Sequence, residues 1–325
     1  MPSLTDPWPD PNAASGVRVQ DVSFPSGSPF SPVNLGPPGG TALPSPPTLG
    51  LGRLYMPEHA SPDHRTPAVV FLHGAAGLVS ERGDLYGRQL AAMGVASLVV
   101  DTFGARRNLA TGFTERLIEI TETMMVTDGY AALRDLARRP EIDPSRVVLA
   151  GFSYGGMSTM YALYAQIADR LAPPGLRFAG HVAFYAPCIA RFADSRTTRA
   201  PLLMLYGQED ELIRPERCTE IAADMRAGGS GVEIIAYPGA VHQWDGGMAR
   251  QMIGRNLSGC NLRVERNGTI RDLRTSLPMS GPFLRKIILG LCVSSNPYPI
   301  GRDPEIRARS NRDFGRFLTR VFEMQ

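Results

Sequence analysis

Residues 146–156 read RVVLAGFSYGG. A run of aliphatics leads into a turn of small residues with Ser153 at its apex, flanked by Gly151 and Gly155 and followed by Gly156. A turn that only reverses the chain does not need glycine on both sides of one hydroxyl. The stretch matches G-x-S-x-G, a pattern common by chance that gains force from its context. With a strand before it and a long helix after it, it reads as a nucleophile elbow. The serine is then forced into a strained turn, where any side chain larger than hydrogen two residues to either side would collide. Its hydroxyl stands above a sheet beside a helix N-terminus, whose partial positive charge favours an oxyanion. The competing reading makes Ser153 a helix cap without chemistry.

Working outward from this turn, short apolar runs recur: PAVVFLHG (67–74), GVASLVVD (94–101), RVVLAGFS (146–153), GHVAFYAP (180–187), PLLMLYG (201–207) and VEIIAYPG (232–239). None alternates with polar residues, as expected of strands buried on both faces. Between them lie stretches with apolar residues at helical spacing: 81–94, 114–140, 155–172 and 215–229. The second is expected to be one long helix, ending in basic residues before Pro140. Strand and helix alternate, which predicts an α/β fold with a mostly parallel, doubly wound sheet flanked by helices. Residues 1–50 are rich in proline and glycine, and VRVQDVSF (17–24) and LGRLYMP (51–57) read as an edge-strand pair joined by an irregular loop. The expected organisation is an N-terminal segment, 1–50, packed on a main domain, 51–325.

Sites in such sheets form where the carboxyl ends of the strands open into loops. Of the five histidines, His59 and His64 lie in a polar segment and His181 begins a strand, which leaves His73 and His242 just past strands. A serine hydroxyl needs a base, and His242 in YPGAVHQW is the imidazole placed to serve. The imidazole needs a carboxylate to fix its tautomer. Asp210 in LYGQEDEL follows the intervening strand; Glu209 and Glu211 compete with it, and Asp245 is a weaker candidate because it shares the histidine's loop. The order Ser153, Asp210, His242 is the one α/β-hydrolases use. The oxyanion donors are expected to be the backbone N–H groups of Tyr154, directly after the serine, and of Ala75, in the HGAAG loop. His73 is read as orienting that loop by hydrogen bonding. Arg106, Arg107 and Trp244 are candidates for substrate binding, the two arginines as a carboxylate clamp or else as plain structure.

Composition sets outer limits. The chain has 325 residues, 43% hydrophobic and 20% charged, with a net charge of +3. So small a charge gives no electrostatic case for nucleic acid. Lys286 is the only lysine, which takes lysine chemistry out of consideration. No apolar run reaches the roughly 18 residues a membrane span needs, and no export signal is visible at the N-terminus. Cys188, Cys218, Cys260 and Cys292 show no CxxC spacing and no metal signal. They are expected to be reduced thiols of a cytoplasmic enzyme; pairing of Cys188 with Cys218, or of Cys260 with Cys292, is left open.

Taken in order, PAVVFLHGAAG, VVDTFGARR, IDPSRVVLAGFSYGG, VAFYAPC, LYGQEDELIRPERC and YPGAVHQWD resemble the α/β-hydrolase superfamily, and within it the dienelactone hydrolase-like branch. The resemblance spans residues 67–245 and implies the nucleophile at Ser153, the acid at Asp210 and the base at His242. Two departures stand out. Enzymes of that branch that open dienelactone rings use a cysteine nucleophile, and serine here favours a general ester hydrolase. The segment at about 248–305, before the closing helix, is longer than the compact members need. It contains a hairpin expected to close through a two-residue turn at Asn267-Gly268, and it either shapes the site beside the histidine loop or decorates the surface. The expected function is a serine esterase, with lactones included, acting on a small-molecule ester without cofactor or metal. An acyltransferase with the same three residues and a non-catalytic binding module are the alternatives; oligomeric state is left open.

Overall fold

The computed structural model describes residues 3–12, 14–39, 43–78 and 80–323. The chain opens with β1 (Val17–Gly27), β2 (Pro47–Pro57) and β3 (Thr66–Leu72), then α1 (Ser80–Ala92) and β4 (Ala96–Val100). Next come α2 (Phe113–Glu119), α3 (Glu122–Leu136), β5 (Ile142–Phe152), α4 (Tyr154–Ala162) and α5 (Ala165–Leu171). β6 (Gly180–Phe184), β7 (Ala190–Phe192), β8 (Leu202–Gly207), α6 (Pro215–Ala227) and β9 (Val232–Tyr237) complete the part that matches the apolar runs. After them lie β10 (Gln251–Ile253), β11 (Leu262–Val264), β12 (Ile270–Asp272), α7 (Pro282–Cys292), β13 (Tyr298–Ile300) and α8 (Pro304–Glu323).

Eight strands form the main sheet in the order β1-β2-β4-β3-β5-β6-β8-β9. β1 and β2 pair antiparallel and β2 joins β4 antiparallel; every other pairing is parallel. The N-terminal strands thus extend the main sheet. Along β3, Ala68, Val70 and Leu72 enter one buried cluster while Val69 and Phe71 enter the other. That is why the strand sequences lack alternation: the pleat still has period two, but helices cover both faces. α1 and α8 cover one face through Tyr86, Leu90, Phe314 and Phe317, and α3 to α6 cover the other through residues such as Met125, Met157, Ile167 and Ile221. Each such side chain contributes roughly 1.5–3 kcal/mol on leaving water. No described helix is long and apolar enough to cross a membrane.

Four local expectations are corrected. The stretch 114–140 is two helices, because Ile120 is extended and Thr121 caps α3, its hydroxyl accepting from the Met124 N–H. The helix after Ser153 breaks at Leu163–Tyr164, where the chain bonds laterally: Thr198 N–H donates to Leu163 and Ala165 N–H to Arg196. The hairpin has a three-residue loop, Arg266 to Gly268, closed by Glu265 N–H on Thr269 with Gly268 at φ 92°. This is the next most common hairpin geometry. Finally, the cysteines are not reduced. Cys188 pairs with Cys218 and Cys260 with Cys292, and disulfides persist where the surroundings are oxidising. The thiol argument for a cytoplasmic location therefore falls away.

Candidate active site

The elbow is built by contacts that only hydrogen allows. Ser153 sits at φ 53° and ψ −108°, a conformation a side-chain-bearing residue rarely holds. A Cβ on Gly151 would lie 2.2 Å from the Gly155 carbonyl oxygen, and one on Gly155 would lie 2.3 Å from that of Leu72. One on Gly156 would meet the Ala186 Cβ at 2.9 Å. The strand-turn-helix is therefore pressed against the end of β3 on one side and the loop after β6 on the other. The Ser153 N–H is held by the Phe184 carbonyl at 2.9 Å.

Three side chains from separate strand ends meet here. His242 Nε2 lies 2.9 Å from Ser153 Oγ, and its Nδ1 lies 2.7 Å from Asp210 Oδ2. The other Asp210 oxygen accepts the Leu212 N–H at 3.0 Å, which fixes the carboxylate plane. His242 is 1% and Asp210 3% exposed, whereas Ser153 keeps 8%, so the group reaches solvent through the serine. The competing carboxylates stand elsewhere: Glu209 is exposed and pairs with Arg250, Glu211 is exposed, and Asp245 is buried against Tyr185 and Arg82.

The two residues expected to donate to an oxyanion, Tyr154 and Ala75, directly follow Ser153 and Gly74 in the chain. Tyr154 opens α4, so its N–H has no helical carbonyl one turn back. Gly74 lies against the elbow, a Cβ there falling 3.6 Å from that of Ser153, which brings the neighbouring Ala75 alongside. Among the described residues the Ala75 N–H donates to no backbone carbonyl. His73 holds this loop: its Nδ1–H donates to the Gly74 carbonyl at 2.8 Å and its Nε2 accepts the Phe103 N–H at 3.4 Å. Burial pushes the His73 imidazole below its ordinary pKa, so the ring stays neutral.

The substrate-binding candidates fare differently. All five N–H groups of Arg106 are engaged, with Ser28, Thr102, Gly27 and both oxygens of Asp128, and the residue is buried. Nothing remains to clamp a substrate, and this candidate is corrected to a structural ion pair. Arg107 is exposed and makes no ion pair among the described residues. Trp244 is fully buried, its Nε1–H on Ser310 of α8 and its ring against Tyr185 and Tyr237. It anchors the histidine loop from behind, away from any substrate.

Two supports lie in the segment at about 248–305. β13 runs beside the histidine: His242 bridges Ile300, Gly301 N–H donates to the His242 carbonyl at 3.0 Å, and the Tyr298 ring stands 6.1 Å from the imidazole. This part of the segment packs on the histidine loop. The second is Arg285 on α7, buried and bonded to Glu122 and to the Tyr154 hydroxyl. Burial works against its charge, yet Glu122 lifts its pKa above the ordinary arginine value. Burial, then Glu122, pushes the Tyr154 phenol well up, so that it keeps its proton and donates it to Ile120. The sequence carried a signal for Arg285: it shares the apolar face of an amphipathic helix with Ile288 and Cys292. No comparable signal marks Tyr298.

A sequence model of the dienelactone hydrolase family matches residues 52–250. Among solved structures, a dienelactone hydrolase-like promiscuous phosphotriesterase from metagenomic libraries superposes with TM-score 0.58 at 17% identity, covering 94% of this chain and 99% of that one. A putative dienelactone hydrolase from Klebsiella pneumoniae superposes with TM-score 0.50 at 19% identity, covering 70% of this chain and 89% of that one. At these identities the superpositions speak to the fold alone.

Proposed function

The chain belongs to the dienelactone hydrolase family and is a carboxylic ester hydrolase, and on that premise we propose that it is a serine hydrolase working through a covalent acyl-enzyme. Ser153 Oγ attacks the ester carbonyl while His242 Nε2 takes its proton. Asp210 holds the Nδ1–H and stabilises the imidazolium. The tetrahedral oxyanion faces the N–H groups of Tyr154 and Ala75. Collapse expels the alcohol, which takes its proton from His242. A water, deprotonated by the same imidazole, attacks the acyl carbon; the acid leaves and Ser153 Oγ regains a proton.

The observation that carries this reading is the unbroken chain of 2.9 and 2.7 Å contacts from Ser153 through His242 to Asp210. A binding module would not require all three groups in register. A panel of esters graded by acyl length and charge, run on wild type and Ser153→Ala, tests it, together with a fluorophosphonate probe. Turnover should fall by about 10^4-fold or more in the variant, and the probe should label Ser153 alone. Full activity in Ser153→Ala would overturn the mechanism. Transfer of the acyl group to an added alcohol in preference to water would make the enzyme an acyltransferase.

A further inference from the structure

An arginine inside a packed helix interface is an expensive choice, since burying its charge is repaid only by complete and well-aligned partners. Arg285 is 3% exposed on α7. Its Nε donates to the Leu117 carbonyl at 2.8 Å, and Nη1 and Nη2 grip the two Glu122 oxygens at 2.9 and 3.0 Å. Nη2 also reaches the Tyr154 hydroxyl oxygen at 3.3 Å, while that hydroxyl donates to the Ile120 carbonyl at 2.7 Å. The tip of the Tyr154 side chain is therefore fixed through both an accepted and a donated bond. The other three anchor points, Leu117, Ile120 and Glu122, all lie at the break between α2 and α3.

The main chain of Tyr154 needs such an anchor. Ser153, in the N-cap position of α4, is strained and provides no side-chain cap, so the first turn of α4 lacks the usual means of fixing its N–H groups. The far end of the tyrosine provides it instead. α7 is in turn fastened at its C-terminus by Cys292, bonded to Cys260 beside β11.

We propose that Arg285 is a positioning residue for the oxyanion hole, acting through the Tyr154 side chain, so that α7 of the long C-terminal segment completes the active site. The inference rests on the reading of Tyr154 N–H as an oxyanion donor. Lysine is a poor substitute, because one ammonium cannot serve Glu122, the Leu117 carbonyl and the phenol in the fixed fork that a guanidinium offers.

The experiment compares wild type, Tyr154→Phe, Arg285→Lys and the double variant. It measures kcat and KM on a neutral ester and the inhibition constant of phenylboronic acid, which forms a tetrahedral adduct on the serine. Losing an oxyanion donor outright lowers kcat about 10^2–10^3-fold, so a donor left in place but loosened should lower it about tenfold. KM should stay within about twofold, because the lost interaction is made in the transition state. Boronate should weaken by the same factor as kcat, and the double variant should be no worse than the poorer single one. A purely structural arginine would lower Tm and leave kcat and boronate affinity at wild-type values; that result overturns the proposal. Should Arg285→Lys fail to fold, Tyr154→Phe decides alone, since it deletes one oxygen. Labelling of wild-type Ser153 by fluorophosphonate judges the serine hydrolase reading separately. If wild type is labelled and active while the variants match it, only the role of Arg285 is lost.

Discussion

The ring of Tyr185 stands edge-on to the imidazole of His242, with 4.8 Å between centroids. The same tyrosine, itself at φ 37°, donates its hydroxyl to Asp245 at 2.6 Å, three residues beyond the histidine. Arg82 of α1 lies 3.3 Å from the same carboxylate oxygen. The histidine loop is thus fastened from behind to β6 and α1, and from its other side to β13. Asp245 stabilises the surroundings of His242; it does not touch the imidazole.

Replacing Asp245 by alanine should therefore act on stability first. It strands the Arg82 guanidinium in a buried site without its counter-charge, a loss of about 3–5 kcal/mol. Guanidinium unfolding at pH 7 should show a lower midpoint at an unchanged slope. An unshifted midpoint would mean that Arg82 finds another partner or water.

Asp210→Asn should do the reverse. The amide keeps the shape of the carboxylate but favours the wrong imidazole tautomer, and kcat should fall by about 10^4-fold. Thermal unfolding should change little, since a fully buried charge has been traded for a neutral isostere. Retention of more than a tenth of wild-type kcat would argue against Asp210 as the acid.

His181 gives the fold a pH dependence. It is buried in β6, its Nδ1 bonded to the Thr159 carbonyl, and burial lowers its pKa to about 4. The unfolded chain takes up the proton near the ordinary value of about 6.5, whereas the folded chain resists until about 4. Stability is complete above the upper value and is lost as pH falls through that window, up to about 3 kcal/mol in total. Chemical denaturation at pH 7 and at pH 4.5 should show this loss. In His181→Gln the histidine's part of it should vanish.

The disulfides should be worth measuring one at a time. Each bridges about the same span, 30 and 32 residues, for which loop entropy predicts about 3–4 kcal/mol apiece. Reductant, or paired Cys→Ser substitution, should lower Tm accordingly. Loss of the Cys260–Cys292 bond should also lower kcat, because α7 carries Arg285; loss of Cys188–Cys218 alone tests whether that effect is specific.

The sheet was legible because six two-faced strands leave continuous apolar runs, and Ser153 was legible because glycine is forced on both sides of it. Local pairing was less so. Ile120 and Tyr164 interrupt the helical pattern where distant partners hold the chain, the Tyr154 hydroxyl on the Ile120 carbonyl and residues 196–198 beside Leu163–Ala165, and helical periodicity runs straight through both. Arg106 misled for a similar reason. Its position past a strand end suggests a rim, while Asp128 that buries it lies one helix away in sequence. Spacing also could not decide the cysteine pairing, which depends on how α6 and α7 come back against the loop after β6 and against β11.

The Cys188–Cys218 bond has one more consequence. Asp210 lies within the stretch that this crosslink encloses, on a turn whose neighbours Glu209 and Glu211 are exposed. A protease that cuts this turn leaves both fragments covalently joined. The nicked chain would migrate as one species on a non-reducing gel and separate into two only after thiol treatment, so a cut beside Asp210 would go unnoticed in any assay of size alone.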